Sequence, residues 1–223
     1  MPAHNPKLAF SPAHASAHHC RNEQPAQELR WAQRFATAAS PVGTIAPTGS
    51  RGNHQLTTNA LPTPPSVRWH RDGSVCFNRR SVRYSNLSNM AQGFPVVVAG
   101  QRYVSVEHVY QGSRFTDDSE RRKLVLAEPT PLGAKKRARR ALAGEIREDW
   151  DDVKSSIMAN CLRLKAEQHV AFRRLLQSTG DLILVEESSR DDWWGAIPVS
   201  DTELEGRNML GLLLMELRIE FSG

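Results

Sequence analysis

Hydrophobic and polar positions recur with a helical period over most of the C-terminal two thirds of the chain. The longest such run, from about Trp150 to Gln168 behind Asp149, puts Val153, Ile157, Cys161 and Leu164 on one stripe, with Met158, Leu162 and Lys165 beside it. Shorter runs predict helices from Ser105 to about Phe115, Asp118 to about Ala127, Thr130 to about Leu142 and Val170 to about Gln177. Ser105 and Thr130 are helix-starting residue types, Pro131 suits a first helical position, and Thr179-Gly180 is a stop. The segment NMLGLLLMELRIEF, apolar nearly all round, predicts a last helix over about Asn208 to Phe221 that runs through the core.

Short apolar stretches predict the strands. Val67 to Asn78, with Val67, Trp69, Val75 and Phe77 flanking an Asp72-Gly73 turn, reads as a hairpin. Arg83 to Met90, RYSNLSNM, is a polar loop. Val96 to Val104 is strand-like with a turn at Gly100, and Leu182 to Val185 is a short strand. The fold class is therefore α+β, a mainly helical single domain with a few short strands and no internal repeat.

Composition divides the chain. Residues 1–66 hold 9 of the 13 prolines, 5 of the 8 histidines and only 10 large apolar side chains, too few to bury against the entropy of ordering them. They read as a disordered tail and linker, with at most one short helix around Gln27 to Ala38 and a stiff LPTPPS end at Leu61 to Ser66. Residues 67–223 read as the catalytic domain. The Ala, Ser, His and Arg richness of the tail suits an organelle-targeting peptide or the export signal of an effector, and equally an extension with no address. Without an address the protein is expected in the cytoplasm.

Of the +5 formal charge, the tail carries +3, leaving 24 basic against 22 acidic residues in the domain. A domain that gripped duplex nucleic acid by its phosphates would carry a larger excess, so charge favours a nucleotide-like ligand over phosphate-led nucleic-acid binding. Three scattered cysteines, Cys20, Cys76 and Cys161, give neither a zinc motif nor a disulfide framework, and Cys161 reads as a buried thiol. No apolar run reaches about 18 residues, so no membrane span is expected.

Two stretches carry candidate chemistry. Asp181 to Gly195, DLILVEESSRDDWWG, runs from a strand into a loop crowded with acids, an Arg and two indoles, a composition that suits a pocket better than a surface. SVEHVYQ places Glu107 and Gln111 one helical turn apart on one face. Asp191 and Trp194, three apart, can face one ligand, although one of the paired tryptophans reads as a core anchor. Lys165, at the edge of the apolar stripe, is either a desolvated nucleophile or, as the pattern alone favours, a lysine with a wet tip. KKRARR, Lys135 to Arg140, reads as a solvated helix face in preference to a phosphate site or a nuclear address.

As a set, Ser85-Asn86 in YSNLSNM, SVEHVYQGSRF, WDDVK with the following CLRLKAEQ, TGDLILVEESSRDDWWG and GRNMLGLLLMELR resemble the NADAR family, the YbiA-like proteins, over about Cys76 to Arg218. The resemblance implies an N-glycosidase that cleaves the bond between a ribose anomeric carbon and a nitrogen base, with no metal and no cofactor. The implied substrates are riboflavin-pathway phosphoribosyl intermediates or ADP-ribosylated guanine, free or in nucleic acid; the alternative is a module that binds ADP-ribose or a nucleotide without cleaving it.

By matching position the resemblance makes Glu107, Lys165 and Asp191 the candidate catalytic residues. Asn86, Gln111, Arg190, Trp194 and Asn208 are the candidate substrate contacts. Three departures stand out: Ser189 where the loop usually has Pro, Leu212 where many relatives carry Lys, and Met90-Ala-Gln-Gly in place of an aromatic-Pro sequence.

Overall fold

The long helix over Trp150–Gln168 is the hub of the main core, where the helices over Val106–Gly112, Val170–Gln177 and Met209–Glu220 pack on it, whereas those over Glu120–Leu126 and Pro131–Arg139 pack on the Val106–Gly112 helix and on one another. The computed structural model describes residues 61–222, so residues 1–60 of the expected tail, with its helix around Gln27 to Ala38, lie outside the described residues; the linker Leu61 to Ser66 has no regular secondary structure, and its buried Pro64 accepts from Arg207 through its carbonyl. In chain order the elements are β1 (Val67–His70), β2 (Ser74–Phe77), a 3-10 turn (Ser85–Leu87), β3 (Val96–Val98), β4 (Gln101–Tyr103), α1 (Val106–Gly112), α2 (Glu120–Leu126) and α3 (Pro131–Arg139). They continue with α4 (Trp150–Gln168), α5 (Val170–Gln177), β5 (Ile183–Glu186), β6 (Ile197–Pro198), β7 (Glu203–Gly206) and α6 (Met209–Glu220).

α4 starts behind Asp149, with Asp151 and Asp152 in its first turn and Lys165 in its last, charges that complement the helix dipole. Its buried face is Val153, Met158, Cys161, Leu162, Lys165 and Ala166, whereas Ile157 and Leu164 are only partly buried. The helix is thus rolled from the expected stripe, and Lys165 sits in the middle of the buried face instead of at its edge. α6 buries six consecutive residues, Met209 to Leu214, as an all-round apolar sequence should.

The expected hairpin over Val67 to Asn78 does not form. β1 pairs antiparallel with β7, which also pairs with β6, whereas β2 pairs parallel with β5. The turn at Asp72-Gly73 exists, but only Gly73 has positive φ (76°), and both turn types of tight two-residue hairpins need it at the first turn residue, with one of them needing it at the second as well. Ala99 (48°) and Gly100 (79°) supply that geometry, and β3 and β4 do pair as a hairpin around them. Trp69 fixes the divergence by donating its indole N–H to the Gly206 carbonyl at 2.9 Å, which ties β1 to β7, while Val75 and Phe77 bury towards β5.

Helix starts follow the sequence closely. Thr130 accepts from the Gly133 N–H, and Pro131 occupies the first position of α3. Ser105 occupies the cap position of α1, but its hydroxyl goes to His108 Nδ1 instead of the helix backbone. α1 ends at Gly112 and α3 at Arg139, each three residues before the expected end. Strands β6 and β7 had no signal beyond a few residues each.

α6 crosses β5 at Gly211, where an added Cβ would meet the Leu184 carbonyl and the Asn208 amide. Gly211→Ala is expected to lower stability by about 2 kcal/mol, in the range of overpacked cores, read as a fall in the urea midpoint; an unchanged midpoint would show that the crossing relaxes freely.

Candidate active site

Five acidic or amide side chains and three cations meet in one small cleft. Glu107, Tyr110, Gln111 and Arg114 point into it from α1 and its end, at the i, i+3, i+4, i+7 spacing of one helix face. Lys135 and Arg139, one turn apart on α3, close a second side; Glu186, the last residue of β5, Asp191 and Trp194 form a third. Asn89, Met90, Met158 and Leu210 complete a cavity of about 100 Å³.

The loop after β5 is held by its own short polar side chains. Ser188 Oγ accepts from the Asp191 N–H at 3.0 Å, and Asp191 Oδ1 accepts from the Trp194 N–H at 3.0 Å. Gly195 then passes so close to the Glu186 carbonyl that a Cβ would collide with it. The other edge of β5 is satisfied by Asn208, fully buried and left-handed at φ 51°: its Oδ1 accepts from the Glu186 N–H at 2.9 Å and its Nδ2 donates to the Leu184 carbonyl at 2.8 Å. Asn208 therefore positions Glu186 and does not itself line the cleft.

The electrostatics follow from enclosure. Burial is the largest effect on Glu107 and raises its pKa; Lys135, the amide of Gln111, His108 and Arg139 oppose it. Gln111 donates to Glu107 Oε1 at 2.9 Å. Burial likewise raises Glu186 to about 8, with Asp191 and Glu107 adding to the rise and Lys135 and the Ser88 hydroxyl opposing it. Lys135 Nζ stands 3.9 Å from Asp191 Oδ2. The Tyr110 hydroxyl is held protonated by burial and by Glu107. Its ring meets Trp194 edge-on, centroids 5.5 Å apart, and Trp150 at 5.2 Å, so a rigid aromatic wall backs the acids.

Trp193 is the anchor of the pair: its ring lies between the Lys154 ammonium (3.9 Å) and the Arg207 guanidinium (5.1 Å). His108 is likewise turned away; its Nε2–H donates to the Glu128 carbonyl at 2.8 Å, leaving Nδ1 to accept from Ser105. Arg190 is exposed on the outer side of the loop and lines neither cavity.

Lys165 is fully buried, which overturns the expectation of a wet tip. Its ammonium donates to the carbonyls of Asn86 (2.7 Å) and Ser88 (3.1 Å) and faces the rings of Phe172 (4.3 Å) and Phe94 (4.8 Å). Burial lowers its pKa to about 7, against two carbonyls and two ring faces that favour the charged form. It underlies the loop that carries Asn89 and Met90 and is not itself part of the cleft lining. Asn86 lines a neighbouring cavity of about 340 Å³ with Arg79, Ser85, Gln92 and the first turn of α3; Met90 borders both.

The cleft thus joins Glu107, Gln111, Asp191 and Trp194 from the sequence expectation. It adds Tyr110, Arg114, Lys135, Arg139, Glu186 and Asn89. Helical spacing from Glu107 points to Tyr110 and Arg114, and spacing within KKRARR to Lys135 and Arg139, so two residues of that run face the cleft where a purely solvated face was expected. Among the described residues no His, Cys, Asp or Glu side chains are gathered as a metal site. No helix of the described residues is long and apolar enough to cross a membrane.

Comparison with known proteins finds the NADAR domain matching residues 76–222. The N-glycosidase YbiA of Escherichia coli is 34% identical over 148 residues, covering 66% of this chain and 88% of that protein. A riboflavin biosynthesis protein of Vibrio vulnificus is 33% identical over 125 residues, 56% of this chain and 32% of that protein. The NMR structure of E. coli YbiA matches with a TM-score of 0.58 at 30% identity, covering 75% of this chain and 90% of that one.

Lys165→Met keeps the bulk of the side chain and removes both hydrogen bonds to the loop. Amide hydrogen exchange at Ser88 and Ala91, whose N–H groups donate to Ser85 and Ser88 carbonyls, is expected to rise at least tenfold while α4 stays protected. Unchanged exchange would show that the loop is held by Leu87 and its neighbours alone.

Proposed function

This chain belongs to the NADAR domain family, and we propose that it is a hydrolase of N-glycosyl bonds whose substrate is a phosphate-bearing N-riboside. The observation that carries the reading is the convergence of Glu107, Glu186 and Asp191 on one enclosed cleft, with Glu186 raised to about 8. Cleavage of a C1′–N bond sends its electrons to the nitrogen, which needs a proton, and leaves an oxocarbenium-like carbon, which needs nearby negative charge. Glu186, protonated at neutral pH, donates that proton. Glu107, oriented by Gln111, clamps the ribose hydroxyls and faces the developing positive charge, and Asp191 orients the ribose from the opposite loop. Water adds to C1′ and returns its proton to a carboxylate.

Trp194 with Tyr110 behind it offers a stacking face for the leaving base. Lys135, Arg139 and Arg114 supply the positive charge that a phosphate requires. The names of the relatives support the bond type and one substrate class: the N-glycosidase supports cleavage of an N-glycosyl bond, and the riboflavin biosynthesis protein supports a riboflavin-pathway intermediate such as a phosphoribosyl aminopyrimidine. ADP-ribosylated guanine, the other class implied by the family resemblance, offers the same ribose, phosphate and stackable ring.

Lys165 has two roles open to the chemistry. Its bonds to backbone carbonyls outside the cleft support a positioning role with direct hydrolysis. Its amine, lowered to about 7, favours a second reading in which it captures the opened ribose as a Schiff base. Borohydride added during turnover separates them: no adduct is expected, and a ribosyl mass increment on Lys165 would establish the covalent route.

Incubation with a phosphoribosyl aminopyrimidine, ADP-ribosylated guanosine and NAD, with free base read by mass spectrometry, tests the function. Release is expected from one of the first two, with a loss of about 10²- to 10⁴-fold in Glu186→Gln. Tight ADP-ribose binding with no release from any of them would move the protein to a binding module. Because Glu107 acts ionised and Glu186 acts protonated, both with folded pKa values raised by burial, kcat/KM is expected to rise as Glu107 loses its proton and then to fall as pH rises through about 8. The falling limb should vanish in Glu186→Gln; its persistence would assign the proton to another group.

A further inference from the structure

Asn89 is the polar side chain in the cleft that the mechanism leaves idle. It is 4% exposed, lines the cleft, and comes from the loop pinned from below by Lys165 at the carbonyls of Asn86 and Ser88. The 3-10 turn over Ser85–Leu87 and the Ala91 N–H to Ser88 carbonyl bond (3.1 Å) fix the chain on both sides of it. Its Nδ2 is turned to the thioether of Met158, a weak acceptor, and its Oδ1 has no partner among the described residues. Exchanging the two ends of the amide changes nothing in this respect, since either way one end faces sulfur and the other is free.

A buried amide left unpaired loses its hydration with nothing in return, which is why such groups are rare outside functional sites. Its oxygen is already out of reach of solvent, so a planar base that slides along Trp194 meets an amide with a hydrogen bond still to make. The ligand then has to supply the missing partners.

We propose that Asn89 is a specificity-determining residue that reads the leaving base, accepting an N–H of the base at one end of its amide and donating to an adjacent acceptor at the other. This rests on the reading of the cleft as an N-glycoside site and names what that site selects. The bases it fits carry a donor and an acceptor side by side: the lactam edge of a purinone or pyrimidinone, or a carboxamide. A base without the N–H leaves the amide buried and unpaired, and a site built around such a hydrogen bond discriminates strongly against that analogue.

The test compares free bases that differ at this edge: hypoxanthine against 1-methylhypoxanthine, and nicotinamide against 3-acetylpyridine. Binding to the full chain is measured by calorimetric titration. In at least one pair the wild type is expected to hold the N–H-bearing member about 10- to 100-fold more tightly. Asn89→Leu, of similar size, should bring that ratio close to one, mainly by weakening the N–H-bearing member, and Asn89→Ala should do the same.

Equal weakening of both members would show a merely structural role and overturn the proposal. So would an undiminished ratio in the variants, or the absence of any preference in the wild type, which needs no variant to fold. Turnover assayed in parallel keeps the two readings apart: a preference lost in Asn89→Leu without base release by the wild type sinks the hydrolase and keeps Asn89. Release that is indifferent to Asn89 does the reverse.

Discussion

A charged group in the core has to be matched from within, and in this protein that group is Lys165. Its ammonium has two backbone carbonyls and two aromatic faces for company, and no carboxylate among the described residues. Removing such partners is costly, so the helix and the loop over Asn86 to Ser88 hold one another. The loop in turn brings Ser88, Asn89 and Met90 to the cleft, Ser88 beside Glu186 and Met90 between the two cavities. A charged side chain with no place in the cleft lining thereby sets the geometry of its upper wall.

The lower wall is fixed the same way by a neutral group. Asn208 stands where a neighbouring strand would, pairing with the N–H of Glu186 and the carbonyl of Leu184. β5 therefore ends with its backbone satisfied and its last side chain delivered to the cleft, and Gly195 and Gly211 let the adjoining backbone come close enough to shut water out. Enclosure is what makes the acids useful: the same burial that lifts Glu186 to about 8 would be a plain penalty elsewhere, and Lys135 keeps it from being larger. Three cations beside three acids leave the cleft able to take a phosphate and a cationic transition state in turn.

Much of this was legible in the sequence because it rests on local rules. Helix starts at Thr130 and Asp149, the bounds of α4 and α5, and the pairing around Gly100 come from caps, periodicity and turn chemistry, and Glu107 and Gln111 followed from helical spacing. What was hidden depends on partners far along the chain. Nothing in Val67 to Asn78 says that its two halves belong to different sheets, since β7 and β5 lie more than 100 residues away. The roll of α4 that buries Lys165 is set by Phe94, Phe172 and the loop carbonyls, none of which its own sequence reveals. Glu186 was in view as part of the acidic loop, yet its role depends on desolvation, which has no sequence signature.

The three departures from the family pattern separate once they have positions. Ser189 is exposed, and the turn it sits in is already held by Ser188 and Asp191, so the missing ring is compensated within the loop. Leu212 is 7% exposed and packs in the core cluster, while Leu210, two residues earlier, is the α6 residue that reaches the cleft; a lysine at 212 would face a different environment from any group in the proposed reaction. Met90 is the departure with consequences. It borders both the 100 Å³ cleft and the 340 Å³ cavity, and a flexible thioether in that position can yield where a fixed aromatic ring would wall one space from the other. A cleft of that size takes a base and part of a ribose, so the remainder of a nucleotide has to lie across Met90 towards Asn86 and Arg79. The substrate preference of this chain is accordingly expected to be written in residues 89 and 90, ahead of the acids that carry the proposed reaction.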